Sequence, residues 1–335
     1  MYHVTVLGAG TWGTALSILL CKNGHKVTLW SALEKEVEAL NKNRDTIPNL
    51  PEAKLQPDVV VTGDLGKALA DSELVVFAVA SPYVRKVAQL ARTYIRSGQI
   101  VVNVGKGIEA DTLETLTNVI QDELPEADVA VLSGPSHAEE VSRGIPTTCV
   151  VGAKTRKTAS FIQDIFMSEF FRVYTNPDIN GVELGGSIKN VIALAAGVAD
   201  GLGFGDNTKA ALMTRGIAEI MRLGIAMGCK AETFAGLSGI GDLIVTCTSK
   251  HSRNRNAGYL IGKGYTPDEA MKEVNQVVEG VFCAKAALAL SKKYHVQMPI
   301  VEQVNLVLFE GKDPRTAVSD LLLRDKTTEN SSLKW

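Results

Sequence analysis

Val4-Thr5-Val6-Leu7-Gly8-Ala9-Gly10-Thr11-Trp12-Gly13 is the stretch of the sequence that decides the fold. It predicts a strand, a glycine turn and a helix, because an apolar run leads into three glycines and then into the helix-forming residues 15–22. Gly8 suits the tight turn, Gly10 lets a ligand approach the backbone, and Gly13 lets the helix pack closely on the strand. The helix N-terminus would offer its free N–H groups to phosphates. The stretch therefore predicts a dinucleotide-binding turn.

Length and composition limit the classes of protein to consider. The 335 residues exceed one ordinary hydrophobic core, and 45% hydrophobic with 21% charged residues is typical of soluble globular proteins. The net charge of −2 does not favour nucleic-acid binding or a polybasic membrane anchor, and no apolar run reaches membrane-spanning length. The five cysteines are scattered without metal-type spacing, and the N-terminus enters a strand rather than a signal peptide. We expect a cytoplasmic protein with no metal, no nucleic-acid partner and no stable membrane insertion.

Short apolar runs alternate with helical patterns from Val4 to about Thr175. Some runs, such as residues 74–79, are continuously apolar, as strands covered by helices on both faces are. The alternation predicts the α/β class with a doubly wound parallel sheet, whose ligand crevice lies at the carboxyl ends of the strands. The further strands that we expect are Lys26–Trp30, Val59–Thr62, Leu74–Ala80, Ile100–Val104, Val129–Ser133, Thr148–Gly152 and Phe171–Thr175.

Strand signals stop after Pro177, and helical patterns fill the rest of the chain. The first two helices are expected at Val182–Ala199 and Thr208–Met227, and the first is apolar enough for the centre of an all-α unit. Thr266-Pro267-Asp268-Glu269 is a capping box, and Asp313-Pro314 is another helix start. We therefore expect a dinucleotide-binding Rossmann domain over residues 1–178 and an all-helical substrate and catalytic domain over residues 179–335.

Two lysines and one acid are candidates for chemistry. Lys106 lies between two glycines after an apolar strand, where it would reach an anionic ligand, although a solvated turn lysine is the alternative. Lys189 precedes nine apolar or small residues and is either extended to the surface or held in a cleft. Burial and a second cation would lower its pKa, as a lysine acid and base needs near neutral pH. Asp242, in an apolar glycine-rich segment, either has a polar partner or caps a helix.

Three further stretches allow two interpretations each. Ser136 has capping-box spacing to Glu139, which favours an anion-binding helix cap, but the same stretch nearly matches the nucleophile elbow of a hydrolase. Glu34 would either hold an adenosine ribose or form a capping box with Ser31. Residues 250–256 are rich in donors suited to a phosphate, with a charged surface loop as the alternative.

Together the motifs closely resemble those of the bacterial NAD(P)-dependent glycerol-3-phosphate dehydrogenases, and the match runs nearly from end to end. They are Gly8-Ala9-Gly10-Thr11-Trp12-Gly13, Gly105-Lys106-Gly107, Ser133-Gly134-Pro135-Ser136-His137-Ala138-Glu139, Val182-Glu183-x-x-Gly186-x-x-Lys189-Asn190, Gly239-x-Gly241-Asp242 and Ser252-Arg253-Asn254. The resemblance implies the reversible reduction of dihydroxyacetone phosphate to sn-glycerol 3-phosphate, with NAD(H) or NADP(H) as cofactor, in glycerophospholipid biosynthesis.

The resemblance also implies roles for individual residues. Lys189 would give a proton to the ketone and take one from the alcohol, and Asp242 would orient the ammonium group. The substrate-binding positions are Lys106, Gly134, Ser136, Lys189, Asp242, Ser252, Arg253 and Asn254. The cofactor-binding positions are Gly8, Gly10, Thr11, Trp12, Gly13, Lys106, Ala138, Arg253, Val277 and Glu279.

One position departs from the pattern of these dehydrogenases. Relatives usually have basic residues just after the second strand, where they meet the 2′-phosphate of NADPH, whereas this chain has Ala32 and Leu33. We therefore expect NADH to be used at least as well as NADPH.

Other functions share some of these features. A dehydrogenase of 3-hydroxy acids also combines a glycine turn with a lysine on the first helix of an all-α domain, but it does not need the Ser252-Arg253-Asn254 cluster. A nucleotide sensor without catalysis would not need Lys189, and a hydrolase using Ser136 would leave the N-terminal glycines without a role. We expect the dehydrogenase to be a homodimer that takes a phosphorylated small-molecule substrate.

Overall fold

The computed structural model describes residues 1–47, 50 and 52–329. Its strands are β1 (His3–Leu7), β2 (Lys26–Trp30), β3 (Val60–Thr62), β4 (Leu74–Phe77), β5 (Ile100–Asn103), β6 (Asp128–Ser133), β7 (Thr147–Gly152) and β8 (Phe171–Asn176). They form one sheet in the order β3-β2-β1-β4-β5-β6-β7-β8. Because β1 pairs in parallel with β2 on one side and with β4 on the other, the strand order reverses at β1. The doubly wound α/β class is confirmed, and its ligand crevice lies beyond the carboxyl end of β1.

Helices cover both faces of this sheet. They are α1 (Thr11–Lys22), α2 (Glu34–Lys42), α3 (Leu65–Leu69), α4 (Val84–Ala91), α5 (Leu116–Glu123), α6 (Ala138–Arg143) and α7 (Arg156–Phe166). Alternate residues of β4 enter different cores: Leu74 and Val76 one, Val75 and Phe77 the other. Burial on both faces is the reason why this strand is continuously apolar.

The prediction of a wholly parallel sheet is wrong for one pair, because β7 runs antiparallel to β6. The connection between them contains only the six-residue helix α6. This helix packs against α1 instead of forming a long crossover helix, so the chain enters β7 at the same end of the sheet at which β6 stops. The strand predicted at Leu74–Ala80 also ends early, at Phe77, since a 3₁₀ turn at Ser81–Tyr83 follows it.

Nine α-helices, together with a π-helical segment at Leu237–Gly241, are described in the second half of the chain up to residue 329. They are α8 (Ile179–Gly201), α9 (Asp206–Ala226), α10 (Ala231–Phe234), α11 (Asp242–Thr248), α12 (Arg253–Gly262), α13 (Pro267–Val274), α14 (Glu279–Lys293), α15 (Pro299–Phe309) and α16 (Pro314–Leu322). Helix α8 is long and apolar enough to cross a membrane, but its most apolar window is 94% buried inside the protein. It is the central helix of this helical unit.

Close backbone contact joins α8 to α12. A Cβ atom on Gly197 would lie 2.0 Å from the Arg255 carbonyl oxygen, and one on Gly258 would lie 2.0 Å from that of Leu194. These positions have no room for a side chain, so the two helices approach more closely than larger residues would allow. The approach sets the N-terminus of α12 beside the middle of α8.

Two of the four expected helix caps are present. Thr266 forms a complete capping box, and Asp313 accepts a hydrogen bond from the Thr316 N–H at the start of α16. The Ser31–Glu34 capping box is wrong, because Leu33 precedes α2 and the Ser31 hydroxyl donates to the carboxylate of Glu36. The box expected at Ser136 is also wrong, as the site geometry shows.

Candidate active site

The glycine turn lies at the carboxyl end of β1, where the strand order reverses. Gly8 has φ +112°, and a Cβ atom there would lie 2.5 Å from the Ala78 carbonyl oxygen. A Cβ atom on Gly13 would lie 1.9 Å from the Gly8 oxygen, so α1 can pack on the turn only because Gly13 has no side chain. Helix α1 begins at Thr11, four residues before the helix-forming stretch 15–22 expected from the sequence, and it ends at Lys22 as expected.

Gly10 differs from its two neighbours in the turn. It is exposed, and apart from Gly10 itself and its two chain neighbours no described residue has an atom within 4 Å of a Cβ atom built on it. The protein itself therefore leaves free space over the backbone of Gly10, at the N-terminus of α1. A pyrophosphate fits such a space, since the helix N–H groups and dipole favour an anion there.

Lys106, Lys189 and Asp242 form a cluster of two lysines around one carboxylate, called here the lysine–aspartate cluster. Asp242 Oδ1 lies 2.7 Å from Lys189 Nζ, and Oδ2 lies 2.6 Å from Lys106 Nζ. Asp242 is 1% exposed and Lys189 is 5% exposed, whereas Lys106 is partly buried. The three residues come from the loop after β5, from α8 and from α11. The expectation that the Asp242 carboxylate has a polar partner is confirmed.

Opposing influences set the protonation of Lys189. Burial is the largest and lowers the pKa of the amine, the Asp242 carboxylate raises it, and the Lys106 ammonium lowers it again, with a net pKa of about 8. Such an amine is protonated at neutral pH and loses its proton just above it. It can therefore donate a proton or accept one under physiological conditions.

Thr246 is a polar contact of Lys189 that sequence reasoning missed. Lys189 Nζ donates to the Thr246 hydroxyl oxygen, and that hydroxyl donates to the Asp242 carbonyl oxygen at 2.6 Å. Thr246 follows Asp242 by four residues on α11, so both side chains are on the same helix face. The i,i+4 spacing of a polar residue from the acid was the signal that could have identified it.

Gly134 and Ser136 lie beside this cluster, in the turn after β6. Lys106 Nζ donates to the Gly134 carbonyl oxygen at 3.0 Å, and the Ser136 hydroxyl donates to the same oxygen at 2.9 Å. The residue that precedes α6 is His137, so Ser136 does not cap this helix as predicted. The reason is that α6 begins at Ala138, one residue too late for Ser136 to be its N-cap, and the Ser136 hydroxyl donates within the turn instead.

Asn254 connects the N-terminal end of α12 to the helix that carries the buried lysine. Its amide donates to the Asn190 side-chain oxygen at 3.0 Å, and its own oxygen accepts from the Gly280 N–H at 2.7 Å. Asn190 is the residue after Lys189, so the bonds fix α8, α12 and α14 around one point. Asn254 is 8% exposed, and its buried amide oxygen and nitrogen both have partners within the protein.

The two arginines of the donor-rich stretch are oriented differently. Arg255 binds Asp200 at the end of α8, with N–O distances of 2.8 and 2.6 Å, and so serves to hold α12. Arg253 is exposed at the first position of α12, and its charge partly opposes the burial that raises the pKa of Glu279. Ser252 is buried and caps the helix by accepting from the Arg255 N–H. Of the two guanidinium groups, that of Arg253 is the one open to a ligand.

Glu279 connects the two halves of the chain. Its carboxylate accepts from the Ser81 hydroxyl at 2.6 Å and from the Ser81 N–H at 3.2 Å. Burial is the largest influence on this carboxyl and raises its pKa. Val277 lies two residues before it and is partly buried, and Ala138 is buried at the first position of α6.

Glu183, like Thr246, is a buried polar residue near the site that the sequence reasoning did not select as a site residue. Its carboxylate accepts from the Asn103 amide at 2.8 Å and from the Thr117 N–H at 3.0 Å. Burial raises the pKa of this carboxyl. The contacts join α8 to the carboxyl end of β5, from which the chain leads to Lys106. A charged residue inside an apolar helix pattern was the available signal.

Two family models match successive parts of the chain. Residues 3–159 match the model described as NAD-dependent glycerol-3-phosphate dehydrogenase N-terminus, and residues 178–319 match the corresponding C-terminus. A relative from Agathobacter rectalis, named glycerol-3-phosphate dehydrogenase (NAD(P)+), is 59% identical over 335 residues and is aligned over all of both chains. A relative of the same name from Fusobacterium nucleatum is 56% identical, over 99% of this chain and 100% of its own.

Among solved structures, the chain is similar to glycerol-3-phosphate dehydrogenase from Coxiella burnetii. The TM-score is 0.93 and the identity is 36%, over 96% of this chain and 99% of the other. The similarity extends through the sheet and the helical unit together.

Proposed function

The chain belongs to the NAD-dependent glycerol-3-phosphate dehydrogenase family, and we propose that it interconverts dihydroxyacetone phosphate and sn-glycerol 3-phosphate with Lys189 as general acid and base. The family makes it an NAD(P)-dependent oxidoreductase, with NAD(H) or NADP(H) as the cofactor. The observation that carries the proposal is the buried Lys189 amine, 2.7 Å from Asp242 and with a pKa of about 8.

Lys189 handles the proton in this mechanism. The reduced nicotinamide, when bound, supplies a hydride to the carbonyl carbon. The Lys189 ammonium donates its proton to the carbonyl oxygen, and in the reverse direction the neutral amine takes the proton from the alcohol. Asp242 and Thr246 orient the amine, since both have an oxygen within hydrogen-bonding distance of Nζ.

The substrate phosphate needs cations at a distance from the reacting carbonyl. We assign this role to Arg253 with the neighbouring Ser252 and Asn254, because the Arg253 guanidinium is exposed at the helix start that Asn254 fixes beside Lys189. Lys106 would attract the same anion, and Gly134 and Ser136 complete this side of the pocket. Binding a remote phosphate positions the carbonyl, so a ketone without phosphate should lose turnover as well as affinity.

The glycine turn would hold the cofactor pyrophosphate. Support comes from the free space over Gly10 and from the N–H groups at the start of α1, whose first two residues are Thr11 and Trp12. Ala138, Val277 and Glu279 are the proposed contacts nearer the nicotinamide. Residues 1–178 then form the nucleotide-binding domain and residues 179–335 the substrate and catalytic domain, of which 330–335 lie outside the described residues.

The test is an assay of purified protein with dihydroxyacetone phosphate and either reduced nicotinamide, followed by absorbance. Lys189→Ala should lower kcat about 1,000-fold with little change in the dissociation constant of NADH, since general acid catalysis contributes roughly 10²–10⁴-fold. Lys157→Ala, on the exposed surface of α7, is the matched control and should behave as wild type. Undiminished turnover in Lys189→Ala would remove this lysine from the mechanism. A preference for unphosphorylated 3-hydroxy acids would instead support the related dehydrogenase class.

We also propose a place for the enzyme in the cell. A cytoplasmic homodimer that makes sn-glycerol 3-phosphate would supply the backbone of glycerophospholipids. Sedimentation equilibrium of the purified chain tests the dimer, because a mass of about 35.8 kDa at all concentrations would show a monomer.

A further inference from the structure

The end of β2 lies directly beside the glycine turn. The Gly8 N–H donates to the Trp30 carbonyl oxygen at 2.8 Å, and Leu7 is paired with Trp30 in the parallel register of β1 and β2. The next residue, Ser31, is buried. In a sheet of this class, the ribose of the adenosine half lies at the end of the second strand, next to the turn that holds the pyrophosphate.

A carboxylate is held at this point. The Ser31 hydroxyl donates to Glu36 Oε2 at 2.5 Å and accepts from the Leu33 N–H at 3.1 Å. Glu36 is partly buried, whereas Glu34, which the sequence offered as the acid for the ribose, is exposed at the first position of α2. The acid that the chain holds here is therefore Glu36 instead of the expected Glu34, and it is bound to Ser31, the first residue of the β2–α2 loop.

The loop residues beside Glu36 carry no positive charge that would neutralise its carboxylate. Ala32 and Leu33, the two residues after Ser31, carry no charge and are exposed. On the neighbouring loop after β3, Asp64 adds a second carboxylate, which is paired with Lys67 at 3.2 Å. Lys35 on α2 is exposed to solvent. A phosphate on the ribose 2′-oxygen would therefore approach the carboxylate of Glu36 without meeting a cation from Ala32 or Leu33.

We propose that Glu36, fixed by Ser31, selects NAD(H) over NADP(H) by setting a negative charge where the 2′-phosphate would lie. The inference rests on the proposed dinucleotide site at the glycine turn. The two loop residues only withhold attraction, whereas the anchored carboxylate adds repulsion. Two neighbouring like charges weaken binding by about three-fold in bulk water and by about fifty-fold at the effective dielectric of a protein surface, so a five-fold effect is a conservative expectation.

Direct binding tests the inference without any turnover. The dissociation constants of NADH and NADPH are measured on the full chain, without substrate, from energy transfer between tryptophan and the reduced nicotinamide. We expect NADPH to bind at least about ten-fold more weakly than NADH to the wild type. Glu36→Gln keeps a partner for the Ser31 hydroxyl and removes the charge, so it should bind NADPH about five-fold more tightly and leave NADH unchanged. The matched control is Glu38→Gln, an exposed position on the same helix.

Salt dependence provides a second readout that a purely structural role of Glu36 would not change. Raising the salt concentration to 0.5 M screens surface charges, so the NADPH to NADH ratio of dissociation constants should fall in the wild type and fall less in Glu36→Gln. An unchanged ratio in Glu36→Gln at low salt, with NADH still bound, would show that Glu36 only supports the start of α2 and would overturn the proposal. If neither nucleotide binds the wild type, the proposed dinucleotide site fails instead, so the two failures are distinguishable.

Discussion

The glycine turn and the lysine–aspartate cluster are built in opposite ways. The turn occupies six consecutive residues, 8–13, and its two closest approaches join residues within the turn or on the adjacent strand end. In the cluster, Lys189 and Lys106 contact Asp242 from positions 53 and 136 residues away in sequence. The turn therefore depends on local backbone geometry, whereas the cluster depends on the docking of the helical unit onto the sheet.

This difference separates the energetic roles of the two regions. The turn requires only residues without a Cβ atom at its closest backbone contacts, and glycine meets this requirement without a polar partner. The cluster buries one carboxylate between two amines, and each charge is tolerated only while the others remain. A substitution in the cluster should therefore change both the stability of the protein and its catalysis. In the turn, a substitution at one glycine should change stability, and a substitution at another should change nucleotide binding.

The largest effect is expected from Asp242→Asn. The substitution leaves two ammonium groups without their shared counter-charge, so we expect a loss of about 3 kcal/mol in the free energy of unfolding and a fall of at least about 100-fold in kcat. Urea unfolding and the dihydroxyacetone phosphate assay measure the two quantities. Asp206→Asn, at an exposed position of α9, is the control. A variant with wild-type kcat would show that the cluster does not depend on its central charge.

Local and distant contacts also differ in how far the sequence predicts them. The strands, the glycine turn and the caps at Thr266 and Asp313 follow from patterns a few residues long, and the structure has them. The antiparallel entry into β7 does not follow from such a pattern, because it depends on the packing of α6 against α1. The distances around Asp242 could not be derived either, since its partners belong to other elements, and only the resemblance joined Asp242 to the two lysines beforehand.

Hydrogen bonds between residues a few positions apart are also predicted only in part. At the start of α2 the capping-box spacing favoured Glu34, but the Ser31 hydroxyl reaches Glu36. At the turn after β6 the spacing favoured a cap by Ser136, but α6 has His137 as its N-cap, and the Ser136 hydroxyl donates to a carbonyl oxygen two residues earlier. Both errors arise because the helix begins one or two residues later than the capping-box spacing requires, and spacing alone does not fix the first residue of a helix.

Gly13→Ala tests the claim that the turn is closed by backbone contact. Its Cβ atom would lie 1.9 Å from the Gly8 carbonyl oxygen and 3.1 Å from the Ala78 side chain. Helix α1 would have to move, and we expect a loss of about 3 kcal/mol in the free energy of unfolding. Urea unfolding followed by circular dichroism measures it. Wild-type stability would mean that the turn yields more easily than the geometry indicates.

Gly10→Ala is the matched variant in the same turn, with a smaller and different effect. Apart from residue 10 itself and its two chain neighbours, no described residue has an atom within 4 Å of the added methyl group, and Gly10 has φ −65°, which alanine adopts readily. We expect a change in unfolding free energy of about 1 kcal/mol or less, but NADH binding weaker by about ten-fold, which corresponds to about 1.4 kcal/mol. Unchanged NADH affinity would contradict the assignment of this space to the pyrophosphate.

The smallest effect concerns pH and shows how a distant residue acts on Lys189. With a pKa of about 8, the Lys189 ammonium is present below pH 8 and lost above it, so kcat for ketone reduction should fall above this pH. Alcohol oxidation needs the neutral amine, so its kcat should instead rise up to the same pH. Lys106→Met removes a cation that lowers the pKa of Lys189, and Lys189 then becomes the single lysine that contacts the Asp242 carboxylate. The fall of kcat in ketone reduction and its rise in alcohol oxidation should therefore both move to higher pH by about one unit. The kcat profile is measured at saturating substrate, because Lys106 is also a proposed binding residue. Gly10→Ala should leave both pH profiles of kcat unchanged. Equal shifts of the profiles in the two variants would show that the nucleotide turn, rather than Lys106, controls the titrating group.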